Sequence, residues 1–111
     1  MISDELARVH KTGEHFYDAE LYRIKGKLLL EQTVRDEGQA ETCFRQALDI
    51  ARSQQAKSLE LRAAMSLSRL WQTQGKKEEA RQLLGDIYNW FTEGFDTADL
   101  KAAKALLEEL A

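Results

Sequence analysis

Part of this chain is written twice. Tyr22, Gly26 and Leu29 are matched by Ala64, Ser68 and Trp71, each 42 residues further on, and Ala40, Phe44 and Ala47 by Ala80, Leu84 and Ile87, each 40 further on. The matched positions set small residues and large ones at helical spacing. Crossing helices need that arrangement, with small side chains where the axes approach and large ones in the gaps between. A chain built on such a unit folds by stacking helical hairpins, because one hairpin buries too little apolar surface by itself. Nothing breaks the plan: the 111 residues contain no proline, and strong helix formers fill most positions.

Residues 3–12 read as a short helix, with Ser3 as N-cap, Asp4 and Glu5 in the first turn, and Ile2, Leu6 and Val9 on one stripe. A helix this short is marginal alone, so it reads as the leftover second helix of a preceding hairpin. Residues 15–55 form the first full unit. Its first helix, expected over His15 to Gln32, carries Tyr17, Leu21, Ile24 and Leu28 on one stripe and Phe16, Tyr22, Gly26 and Leu29 beside it. Two apolar stripes predict packing on two sides. A polar turn over Thr33 to Gly38 leads to a helix from Gln39 to Gln54.

Residues 58–91 form the second unit. Ser58 is the expected cap of a helix reaching Gln74, Gly75 breaks it, and Glu78 to Phe91 follows. Trp90, Phe91 and Phe95 read as glue toward a closing helix over 97–111, capped by Asp96 or Thr97. Its single narrow stripe, Leu100, Ala103, Leu107 and Leu110, predicts one neighbour, which is how a stack of hairpins is closed.

Tyr22-Lys25-Gly26-Leu29 with Ala40-Phe44-Ala47, and Ala64-Leu67-Ser68-Trp71 with Ala80-Leu84-Ile87, resemble the tetratricopeptide repeat. Lys25 stands in an apolar slot of that pattern, Ser68 in a glycine slot, no closing proline follows, and the period exceeds the usual length of about 34 residues. The resemblance implies an all-α fold: a right-handed α–α superhelix of helix pairs with a C-terminal closing helix. The stretches GEHFYDAELYRIKGKLLL, CFRQALDIARSQQAKSLELRAAMSLSRLW and WFTEGFDTADLKAAKALLEEL also resemble the last repeats of large bacterial regulators. There, such arrays follow an AAA-type ATPase, a nucleotide cyclase or a transcriptional-activator head. That likeness implies a protein–protein interaction or sensing module of a multidomain signalling or transcription regulator, with its catalytic or DNA-binding parts elsewhere.

The residues themselves point away from chemistry. A formal charge of -3 provides no broad cationic field for a nucleic-acid backbone. Neither Gly26-Lys27 nor Gly75-Lys76 completes a phosphate loop, and His10 and His15 lack the spacing of a helical metal pair. Cys43, the one cysteine, precedes core Phe44 and reads as structural. The longest apolar run, Leu28 to Leu30, is far too short for a membrane span. The expectation is a cytoplasmic protein that is not an enzyme and takes no cofactor, metal, nucleic acid or membrane.

In tetratricopeptide-like arrays the first helices line a concave groove. The exposed inner stripe here is Glu20, Arg23, Lys27 and Glu31, with Arg62, Met65, Arg69 and Gln72. Four cations among them predict a basic groove suited to an acidic peptide or a terminal carboxylate. The plainer alternative is a solvated face with intrahelical pairs, Glu20 with Arg23 and Lys27 with Glu31. A second candidate surface is the open amino-terminal end, Ile2, Leu6, Val9, Phe16 and Tyr17, where self-association as a homodimer or a spacer role would act.

Overall fold

Tight turns decide the architecture. A computed structural model describes residues 18–32, 35–92 and 97–111, and all regular structure among them is helical. The helices are α1 Asp18–Leu30, α2 Glu37–Ser53, α3 Lys57–Thr73, α4 Lys77–Tyr88 and α5 Ala98–Leu110. The turns after α2 and after α3 close in the same way. Gln55 N donates to Arg52 O at 3.1 Å and Ala56 N to Ala51 O at 2.9 Å. Likewise Gly75 N donates to Gln72 O at 3.3 Å and Lys76 N to Trp71 O at 2.8 Å. This is the Schellman closure, which needs one left-handed residue. Gly75, at φ 79, adopts that conformation freely, whereas Gln55, at φ 55, carries the strain of its Cβ.

Side-chain bonds report how the helices run. Gln74 Nε2 donates to Glu37 Oε1 at 3.0 Å, and Arg52 Nε to Glu60 Oε2 at 3.0 Å, so α2 and α3 are antiparallel. Arg62 meets Asp99 and Gln72 meets Glu109 at the same sequence offset, so α3 and α5 run parallel. Because α3 also packs on α1, the odd-numbered helices form one row, with α2 and α4 behind it. The molecule is 20 Å through its thinnest dimension, about two helix diameters.

The residues marked by the repeat lie at the helix contacts. Gly26 faces Phe44 so closely that a Cβ on it would lie 2.6 Å from the ring's Cε1. At the matching place in the second unit, Ser68 is fully buried and donates its hydroxyl to Ala80 O at 3.3 Å, which satisfies a polar group that burial would otherwise penalise. Phe44, Leu61, Leu67, Leu70, Leu84 and Leu106 fill the core around these crossings.

Several expectations are corrected. α2 begins at Glu37, because the Asp36 carboxylate accepts from Gln39 N at 3.0 Å, so Gly38 belongs to the helix and not to the turn. Ser58 does not cap α3: the Schellman turn hands over directly, leaving Ala56 at the N-cap with no side-chain bond. Thr97 does cap α5, its hydroxyl accepting from Leu100 N at 3.4 Å. α5 touches two helices, α3 and α4, because its buried stripe includes Leu106 and is wider than expected. α4 stops at Tyr88, short of Phe91. Trp90 is 57 % exposed, with Lys57 Nζ 5.3 Å from its ring centroid, so it does not act as core glue; Phe91 is the half-buried member. α1 does pack on two neighbours, α2 and α3, but among the described residues Leu21, Ile24 and Leu28 are uncovered. The helix expected over residues 3–12, with Ile2, Leu6, Val9, His10, His15, Phe16 and Tyr17, lies outside the described residues, as do Thr33, Val34, Phe95 and Asp96. No described helix is long and apolar enough to cross a membrane.

Candidate functional site

The odd-numbered helices enclose a groove of about 510 Å³. α1 contributes Arg23, Lys27 and Leu30, one helical turn apart along a single face. α3 contributes Arg62, Met65, Ser66, Arg69, Leu70 and Thr73, again a single face. Asp99 and Ala102 of α5 form the far wall, and Glu31 and Arg35, with Phe44 of α2, complete the lining. Apolar side chains thus lie beneath a charged rim, because α3 turns Leu70 into the core beside Arg69 and α2 sets Phe44 behind it.

Charge in the groove is partly spent internally. Glu20 accepts from Arg23 Nε at 2.8 Å and Nη2 at 3.1 Å, and from Arg62 Nη1 at 3.1 Å. Arg62 Nε in turn donates to Asp99 Oδ2 at 2.8 Å. One guanidinium on α3 therefore joins α1 to α5. The Arg23 hydrogen bond holds the Glu20 carboxyl below its ordinary range, with Arg62 adding to the effect against the opposing pull of burial. The Asp99 hydrogen bond likewise holds Arg62 more firmly protonated than a free guanidinium. Lys27 and Arg69 have no ion pair among the described residues, and the expected pair between Lys27 and Glu31 is absent there. Arg35 reaches Glu37 at 3.5 Å across exposed surface, a contact of little strength.

Of the residues read from the sequence, Arg23, Lys27, Arg62, Met65 and Arg69 come together on this groove. Glu20 sits at its edge as the shared acceptor. Gln72 lies outside the lining and donates to Glu109 Oε1 at 3.4 Å, tying α3 to α5. The groove is less basic than the sequence suggests, since Glu20 and Asp99 engage two of the four expected cations. Asp99, Ala102, Arg35 and Thr73 were not singled out by sequence. No sequence signal marked Asp99 or Ala102, because the parallel run of α3 and α5 that brings them to the groove arises only from packing. Cys43 is buried in α2. The described residues contain no cluster of His, Cys, Asp and Glu able to hold a metal ion. No family model, curated protein or solved structure matches the chain.

Proposed function

We propose that the chain is a protein-interaction module, built of tetratricopeptide-like helix pairs, that holds an acidic peptide or a C-terminal carboxylate in the groove of α1, α3 and α5. The observation that carries this reading is the pair of cations, Lys27 and Arg69, that make no ion pair among the described residues and stand over buried Met65, Leu70 and Phe44. A carboxylate set between two such groups makes charge-assisted hydrogen bonds. Leu70 and Phe44 beneath are already buried, so the affinity rests on the charged contacts, with little more area for a peptide's apolar side chains to remove from water. The resemblance to the terminal repeats of bacterial signalling and transcription regulators supports a wider role as scaffold or sensor within such a protein.

Fluorescence anisotropy with short acidic-aliphatic peptides, free or amidated at the carboxyl end, tests the groove. Arg69→Glu and Lys27→Glu should each weaken binding at least about tenfold, roughly 1.4 kcal/mol. Arg81→Glu, on exposed α4, should leave it unchanged. Equal binding by all four proteins removes the proposal.

A further inference from the structure

Where α2 passes into α3 the surface holds a second recess, of about 450 Å³, lined by Arg52, Gln55, Lys57, Glu60 and Trp90. At its base is buried Glu60, whose carboxylate is divided between two cations. Oε2 accepts from Arg52 Nε at 3.0 Å, and Oε1 lies 3.2 Å from Lys57 Nζ. Burial and pairing fix that carboxylate, and the carboxylate fixes the cations in turn. One negative charge against two positive leaves the recess net positive. Beside the cations stands Trp90, with Lys57 Nζ 5.3 Å from its ring centroid. Half-buried Phe91 meets the same ring edge to face at 5.2 Å, which orients an indole that is otherwise largely in solvent. An exposed tryptophan beside an arginine is the pairing that dominates binding hot spots.

We propose that this recess binds an aromatic ring that carries a carboxylate, the ring against Trp90 and the carboxylate bridging Arg52 and Lys57 on their solvent side. Glu60 sets the scale. One carboxylate already spans the two cations at ordinary contact distances, so a second of the same width can span them from outside, with charge-assisted hydrogen bonds. It offsets the positive charge that Glu60 leaves over. Lys57 stands within cation–π reach of the indole, so a ring one or two bonds from that carboxylate arrives at Trp90 as well.

Other occupants fit less well. A cationic ligand meets Lys57 already over the ring and Arg52 beside it, and a wholly apolar ligand would strip water from both cations without replacing it. Gln55 adds a side-chain amide to the rim, able to donate to the same carboxylate. It does so from a left-handed backbone, φ 55, where the corresponding turn after α3 has Gly75. Strain of this kind gathers at ligand sites. The recess shares no residue with the groove of α1, α3 and α5, so the two proposals stand or fall separately.

Nuclear magnetic resonance on the full chain tests the site. The two tryptophans give two indole N–H signals, assigned by Trp90→Leu, and Trp71, whose Nε1 is buried, is the internal reference. The probes are 3-phenylpropionate and the acetylated tripeptide Gly-Gly-Phe, each compared with its amide. Both acids should move the Trp90 signal saturably, with a dissociation constant on the order of a millimolar for ligands this small, and leave Trp71 in place. Each amide should bind at least about tenfold more weakly. Tighter binding of the peptide acid names a chain terminus as the source of the ligand; equal binding names a free aromatic acid. Arg52→Gln leaves Lys57 to pair with Glu60 and should weaken the acids at least about tenfold, with circular dichroism reporting whether the fold is kept, whereas Arg81→Gln on α4 should change nothing. A Trp90 signal that does not move at ten times the expected constant, equal shifts from acid and amide, or undiminished binding by folded Arg52→Gln would each overturn the proposal.

Discussion

Replacing Gly26 by alanine sets two effects of opposite sign against each other, and the geometry says which wins. Within a helix, alanine is favoured over glycine by about 1 kcal/mol. The new Cβ, however, would stand 2.6 Å from Cε1, 2.9 Å from Cδ1 and 3.1 Å from Cζ of Phe44. Carbon contacts are at their best near 3.5–4.0 Å, so the ring must retreat by about 1 Å. It has nowhere to go, because Phe44 is 1 % exposed in the centre of the core. Overpacking of this kind costs about 1–3 kcal/mol, and the upper part of that range applies to a ring wedged against backbone. The net expectation for Gly26→Ala is a loss of about 1–2 kcal/mol, which lowers Tm by roughly 5–10 °C in a domain of this size. Urea unfolding followed by helical circular dichroism measures it. Gly85→Ala is the control: its Cβ would meet only Leu107 Cδ2 at 4.0 Å, so the helix gain should show as added stability. Phe44→Leu should cost less in the Gly26→Ala background than alone, a coupling of about 1 kcal/mol. A rise in stability for Gly26→Ala, matching that of Gly85→Ala, would refute the close-approach reasoning.

The two Schellman turns predict opposite results for swaps at one structural position. Gln55→Gly should stabilise by about 0.5–1 kcal/mol through relief of the left-handed strain, and Gly75→Ala should destabilise by about 1–2 kcal/mol; denaturant midpoints compare them. Thr97→Ala removes the hydroxyl that accepts from Leu100 N and should cost about 1 kcal/mol, read as earlier melting. Glu20 predicts a pH dependence. Its carboxyl is held below the ordinary value of 4.5, so its contribution is present above that pH and is lost as pH falls through the folded value. The stability gap between the native chain and Glu20→Gln should therefore be widest near neutrality and close on acidification below 4.5, and a gap constant across that range would show the ion pairs to be idle.

What the sequence made legible follows from local physics. Gly26 with Phe44, and Ser68 with Ala80, were readable as helix contacts because small and large residues recur at helical spacing in both units. Gly75 announced a turn by its chemistry. Gln55 did not, since the same turn there is imposed on a residue whose identity carries no such signal. Periodicity placed Leu21, Ile24 and Leu28 on one side of α1 but could not say whether that side is covered, which depends on elements distant in the chain. For the groove, the inner faces of α1 and α3 were readable from repeat register. The neutralising partners were not: Asp99 reaches Arg62 across 37 residues of sequence, through the packing of α5. The narrow stripe predicted for α5 was an error of width, as Leu106 turns inward toward a second neighbour.

The guanidinium of Arg62 has a mechanical consequence. It grips Glu20 on one wall and Asp99 on the other, so a single side chain acts as a cross-tie whose reach sets how far those walls stand apart. A cross-tie resists spreading until it parts. A bulky occupant forced between α1 and α5 must release at least one of these attachments, so the width of the groove and the ion pairs of Arg62 are set together.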